Sequence, residues 1–239
     1  MRKTKFEVGK IYHIFNRGVD KRNIFNNDSD KWRFLQGLFL FNDKHSTNGI
    51  LQRIERDHKG KLNFNILKKF IDNHNEGREP LVRILADCLM PNHYHLLIEE
   101  IVEGGLSRFI QKVGTGYTGF FNKKYNRSGV LFQGPFKVVE INNDIQLQYI
   151  LAYINVINPG QLAQPDLKET GPKDIDKIMN FARNYSFCTH PDYLEDRDSI
   201  IIDKGIYENI FKTGKEYEKY MKEILLSKQC NLANTLFLE

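Results

Sequence analysis

His93-Tyr94-His95 follows an apolar run and the dipeptide Pro91-Asn92, and leads into Leu96-Leu97-Ile98. On a strand, side chains alternate between faces, so the two histidines point the same way with one residue between them. Two imidazoles on one face can share a metal ion. Two nitrogens leave such a site incomplete, so an oxygen or amide ligand must join them, with waters or phosphate oxygens. The bland alternative is a pair of surface histidines flanking a core tyrosine. A second constellation runs from Gln148 to Pro159. On a helical wheel Leu147, Ile150, Leu151 and Ile154 form the aliphatic face, and Tyr149 and Tyr153, four apart, project from roughly the opposite side. The tyrosines are therefore expected away from the core of this helix. A phenol can attack phosphorus and form a covalent intermediate, while a divalent ion polarises the phosphoryl oxygens. A tyrosine that only packs and hydrogen-bonds is the structural alternative.

From Gly104 to Val139 the chain carries Arg108, Lys112, Lys123, Lys124, Arg127 and Lys137, seven aromatics and no acidic residue. Cations interleaved with aromatics suit a polyanion whose bases can stack, which favours single-stranded nucleic acid over a membrane surface. Leu106, Phe109, Ile110, Val113, Tyr117, Phe120 and Phe121 recur at steps of three and four, the apolar stripe of an amphipathic helix. Those aromatics are expected in the core, leaving the basic face for a ligand.

The elements that must hold these residues follow from the pattern. Residues 10 to 16 read as a strand that ends in the turn Arg17-Gly18. Residues 28 to 42 read as a helix, with Asp28, Ser29 and Asp30 as capping candidates ahead of Trp32, Leu35, Leu38 and Phe39. Val82 to Met90 and His93 to Glu99 read as two paired strands joined by a tight turn. A long helix is predicted over 105 to 124 and a strand within Val130 to Ile141. Asn143 or Asp144 caps a further helix that Pro159-Gly160 is expected to stop near Ile157. Strands separated by helices, two of them adjacent, describe an α/β sandwich with a largely antiparallel sheet. Residues 45 to 80 are polar and weakly periodic, apart from a candidate short helix over 66 to 71, and read as an insertion.

With 239 residues, 41% of them hydrophobic, the chain can bury a substantial core. No stretch reaches the roughly 18 apolar residues of a membrane helix, and the N-terminus lacks the apolar run of a secretory signal. A cytoplasmic protein with no membrane partner is expected. Cys88, Cys188 and Cys230 have no short spacing, so neither a disulfide framework nor a cysteine zinc site is supported.

Met90-Pro91-Asn92-His93-Tyr94-His95-Leu96-Leu97-Ile98 resembles the HUH motif of the single-tyrosine transposases, and most closely that of the REP-associated tyrosine transposase group. Tyr12 to Gly18 and Asp30 to Leu35 are similar to that group's opening strand and helix. Phe121-Asn122 and Gly129 to Lys137 resemble its central segment, and Tyr153-Ile154 through Asn158-Pro159 its tyrosine helix. Tyr185-Ser186 and Ile201-Ile202-Asp203 resemble its C-terminal region. The resemblance spans most of the chain except 45 to 80.

It implies an α+β, ferredoxin-like HUH nuclease fold, an antiparallel sheet with helices packed on it, over residues 1 to 160, followed by a helical extension over 161 to 239. It also implies metal-dependent cleavage and joining of single-stranded DNA, often at a hairpin, through a 5′-phosphotyrosine. His93 and His95 match the metal ligands and Tyr153 the nucleophile. Magnesium or manganese fits such a site, and the covalent linkage removes any need for a nucleotide cofactor. Arg17, Gln133 and the six cations of the basic segment are the candidate DNA contacts. Two features depart from the family pattern. Pro135 stands where a basic residue is common, and three residues rather than two separate Tyr153-Ile154 from Asn158-Pro159. In an unbroken helix Asn158, the candidate third ligand, would point about 140 degrees from Tyr153. A bulge or an early helix end is therefore required, with Asn155 as the alternative ligand. The sequence leaves open a monomer or a homodimer, and the runner-up function is a domesticated, non-catalytic DNA- or RNA-binding regulator with the same fold.

Overall fold

The hairpin expected at Pro91-Asn92 organises the sheet. In the computed structural model, which describes residues 5–45 and 78–227, β1 (Ile11–Arg17), β2 (Val82–Met90), β3 (His93–Glu100) and β4 (Lys137–Ile141) form one sheet in the order β2-β3-β1-β4. Every pairing is antiparallel. α1 (Asp28–Phe41) connects β1 to β2, and α2 (Gly105–Lys124) lies between β3 and β4. This βαββαβ order is the ferredoxin-like arrangement. The register sets His95 of β3 beside Phe15 of β1 and Cys88 of β2, and His93 beside Arg17 and Met90.

Both faces of the sheet are covered, so the central strands are buried on both sides. On one face Tyr12, Ile14 and Leu96 meet Phe34, Leu38, Phe109 and Val113 from α1 and α2. Asn27 caps α1 and Asp30 closes the capping box. On the other face Cys88 and Leu97 meet Ile150, Ile154 and Ile157, together with Tyr193, Tyr207, Tyr217 and Met221 from the C-terminal segment.

That second face differs from the sequence expectation in three ways. The expected strand within 130 to 141 is confined to β4, because Gly134 takes a positive φ of 78° beside Pro135; Phe132 keeps a single bridge, to Gly18. The helix after Asn143 does not stop before Pro159. It runs as α3 (Asp144–Ala152), a π-helical turn (Tyr153–Ile157) and a last α turn (Asn158–Gly160). Proline removes an N–H and crowds the carbonyl four residues back, and here that carbonyl, Asn155 O, accepts from the Cys188 thiol at 3.7 Å. The third difference concerns the tyrosines. Tyr149 and Tyr153 are 1% and 0% exposed rather than turned away from the core. The cause is the C-terminal segment, whose helices α4 (Leu167–Thr170), α5 (Ile175–Asn184), α6 (His190–Tyr193) and α7 (Gly214–Leu226) cover the side of α3 that does not face the sheet. A helix enclosed on both sides shows no single apolar stripe to read.

Cys88 and Cys188 are free, buried and paired across a β-bridge, and burial pushes the Cys188 thiol up to about 12. Cys230 and nearly all of the 45 to 80 segment, its candidate helix included, lie outside the described residues. Among the described residues, no helix is long and apolar enough to cross a membrane.

Candidate active site

β3 delivers the two histidines to the face that α3 covers, their ring centroids 5.0 Å apart and their planes at 89°. Each ring has its Nδ1 engaged. His93 Nδ1 lies 2.6 Å from Asn92 Oδ1. An amide oxygen only accepts, so His93 Nδ1 carries a proton, and in the neutral ring Nε2 is then the nitrogen with the lone pair. The Asn92 amide is itself oriented, because its Nδ2 donates to Lys21 O at 3.1 Å. His95 Nδ1 lies 2.9 Å from Nε2 of His13, a fully buried residue of β1. Burial holds His95 neutral, well below the usual histidine range, and its neighbours His93, His13 and Lys168 act in the same direction. A neutral imidazole with one nitrogen held by a neighbour is the form that binds a metal through the other.

Lys21 reaches the site from a strained turn. Asp20 and Lys21 both adopt left-handed backbone, with φ of 53° and 58°, a conformation that costs of order 1–3 kcal/mol per residue and persists only where surrounding contacts impose it. Here Gly18 makes the turn possible, because a Cβ at that position would lie 2.1 Å from Arg22 O.

The π turn resolves the extra residue between the Tyr-Ile and Asn-Pro landmarks. The Asn158 N–H bonds to Tyr153 O, five residues back, so Asn158 stacks one turn above Tyr153 in the position that a residue four along holds in an α-helix. Asn158 is fully buried, its Oδ1 accepts from Gln161 Nε2 at 3.1 Å, and its Nδ2 has no hydrogen-bond partner. Asn155 is committed elsewhere: it donates to Tyr217 Oη at 3.0 Å and accepts from Thr189 Oγ1 at 2.5 Å. The Tyr153 ring stands edge-on to His95 at 5.5 Å and to His13 at 6.1 Å, and Tyr149 stacks on it at 6.4 Å from the preceding turn.

His93 and His95 line a cavity of about 410 Å³ together with Arg17, Lys21, Gln133 and Lys137. Among the described residues, three cations and no carboxylate line it, which suits an anion. Arg17 Nε donates to Gln133 Oε1 at 2.5 Å, and Lys137 lies over the Phe15 ring. The structure thus gathers Arg17, Gln133 and Lys137 at the histidines. It does not gather the α2 cations there. Arg108 Nη2 donates to Lys44 O, and Lys112 Nζ donates to the carbonyls of Asp43 and His45. Lys124 pairs with the buried Asp30 at 2.6 Å. Lys123 is exposed, and Arg127 lines a separate cavity of about 370 Å³ with Arg22 and Tyr125. Among the described residues, no group of three histidine, cysteine, aspartate or glutamate side chains could hold a metal. Asn158 is not among the residues that line the histidine cavity, and a metal at His93 and His95 would need further oxygen or amide ligands, water or substrate oxygens to complete its shell.

Residues 9–156 match the family described as "Transposase IS200 like", a span that includes the whole sheet, both histidines, α3 and Tyr153. The chain belongs to the IS200-like transposase family. The α4–α7 segment, Asn158 and Lys168 lie beyond the matched residues. Among solved structures, one described as a REP-associated tyrosine transposase bound to a REP hairpin aligns with 85% of this chain and 93% of that one, at 13% identity and a TM-score of 0.44. No curated protein matches the chain. For this family member, sequence reasoning missed His13, Asn92, Lys21 and Lys168 as residues of the site. His13 carries a signal, since it shares a strand face with Arg17 at the period of two. Asn92 adjoins His93 in sequence, but the contact that orients its amide, like those that place Lys21 and Lys168, is tertiary and no local pattern encodes it.

Proposed function

We propose that this protein is a metal-dependent nickase and strand transferase of single-stranded DNA, acting at hairpin-containing sequences through a 5′-phosphotyrosine on Tyr153. The observation that carries this reading is the packing of the Tyr153 ring on His95, one of two histidines facing a cavity lined by cations. Nε2 of His93 and of His95, with the Asn158 amide oxygen, would hold magnesium or manganese. When bound, such an ion supplies Lewis-acid polarisation of the scissile phosphate. His13 and Asn92 fix the rings; for His95 to present Nε2 as a lone pair, its Nδ1 donates to His13. Arg17, Lys21 and Lys137 bind the phosphates on either side. Tyr153 Oη forms a bond to phosphorus as the bond to the 3′ oxygen breaks, and the proton lost by the phenol ends on the released 3′ hydroxyl. Joining is the reverse, so the energy of the phosphodiester is kept.

The direct test is to incubate a hairpin-bearing single-stranded oligonucleotide with the protein and manganese. A covalent species that survives denaturing electrophoresis is expected, and chelation should abolish it. A second reading, a DNA- or RNA-binding regulator without turnover, draws on the complete burial of Tyr153. Tight binding with no covalent species under any divalent ion would establish that reading instead.

The two kinds of cation separate in their effects. Lys21→Ala with Lys137→Ala should flatten the log-log salt dependence of single-stranded DNA binding by roughly 1.4, about 0.7 for each phosphate left without its cation. Lys124→Ala should leave that slope alone and cost ~1–3 kcal/mol of stability, because it deprives the buried Asp30 carboxylate of a charged donor. Fluorescence anisotropy across a salt series and urea denaturation measure the two quantities.

A further inference from the structure

Tyr153 makes one polar contact that the family-matched residues do not supply. Lys168 Nζ donates to Tyr153 Oη at 2.6 Å and lies 4.6 Å from the centroid of the same ring. Lys168 belongs to α4, beyond the matched span. Its placement is built rather than incidental. Leu167, the preceding residue, is fully buried against the end of the tyrosine helix, where a Cβ on Gly160 would lie 2.7 Å from Leu167 Cδ2. The Gln164 side chain then ties the two ends of α4 together: its Nε2 donates to Gly171 O at 2.8 Å, and its Oε1 accepts from Lys173 N at 2.9 Å. A glycine that admits α4 and an amide that staples it hold the ammonium at the phenol.

We propose that Lys168 is the positioning residue of the strand-transfer tyrosine, its ammonium fixing the rotation of the phenolic hydroxyl beside His95 and stabilising that oxygen as it gives up and regains its bond to phosphorus. This rests on the reading of Tyr153 as the nucleophile. In cleavage the phenolic oxygen bonds to phosphorus and the 3′ oxygen leaves as a hydroxyl; in joining the phenolic oxygen leaves, and the same N–H donor faces the charge that develops on it. Fixed donors aimed at developing charge, rather than mobile water, make such a contact effective. Lys168 acts through Tyr153.

The test uses the full chain, comparing Lys168→Met, which keeps the aliphatic stem, with Lys168→Arg, which keeps a charged donor. Single-turnover adduct formation at saturating DNA should fall about 100-fold in Lys168→Met, in line with the loss of one preorganised donor. Affinity for single-stranded DNA and for manganese should stay within about twofold, and Lys168→Arg should recover at least a tenth of the rate. If Lys168→Met does not fold, Lys168→Gln, which retains a neutral donor, should be slowed by about tenfold with binding intact. Unchanged adduct formation at saturation would overturn the proposal, as would a loss confined to DNA affinity, which would make Lys168 a phosphate-binding residue. Tyr153→Phe run alongside separates the two levels: an adduct that persists in that variant refutes the nucleophile, whereas a normal rate in Lys168→Met refutes only the positioning role.

Discussion

Exchange of both His93 and His95 for alanine is expected to lower metal-dependent cleavage of single-stranded DNA by roughly a thousandfold or more, the equivalent of several kcal/mol of phosphate polarisation. The two side chains supply the nitrogens of the proposed site, and among the described residues lining their cavity there is no carboxylate to replace them. Manganese binding, measured by calorimetry, should disappear in parallel. The fold should survive, because the sheet is held by the cores on its two faces rather than by this pair. The cost in stability falls on His95, which is 1% exposed and bonded to His13; ~1–3 kcal/mol is expected for leaving His13 without that partner. Cleavage that proceeds undiminished in the folded double variant would remove these histidines from the mechanism.

Tyr153→Phe is expected to abolish the covalent DNA adduct while leaving DNA and manganese binding intact. The exchange removes only the hydroxyl. The ring keeps its edge contacts with His95 and His13 and its stack on Tyr149, and removal of the hydrogen bond from Lys168 costs about 1 kcal/mol, with the freed ammonium able to reach water. Tyr149→Phe, one turn earlier on the same helix, should form the adduct at a rate close to that of the unaltered protein. The contrast matters because both tyrosines are buried and four residues apart, so burial does not choose between them. What distinguishes Tyr153 is its contact with the histidine rings and its place at the head of the π turn.

Much of this arrangement is legible in the chain. The helix read over 105 to 124 and the strand over Val82 to Met90 coincide with α2 and β2, because a strong three-and-four stripe and a bounded apolar run are local signals. The single surplus residue before Asn158 calls for a bulge or an early end, and the helix meets it with an i→i+5 turn. Other features depend on contacts distant in sequence. Nothing near Tyr153 tells that α7 and α5 will enclose it. The acid-free basic segment looks uniform, yet the fold commits Lys124 to Asp30 and Lys112 to two carbonyls, and brings Lys137 to the histidines beside Lys21, which lies outside that segment. Pro159 reads as a stop signal, but a helix whose hydrogen-bond ladder has already shifted can absorb a missing N–H.

The proposed chemistry turns on the Tyr153 hydroxyl attacking phosphorus beside a histidine metal site. It can be checked by trapping the protein on a hairpin-bearing single-stranded oligonucleotide with manganese, digesting the adduct and locating the DNA-bearing peptide by mass spectrometry. One modified residue is expected, Tyr153, bearing the 5′ phosphate. An adduct on Tyr149, or cleavage with no modified tyrosine at all, would refute the assignment.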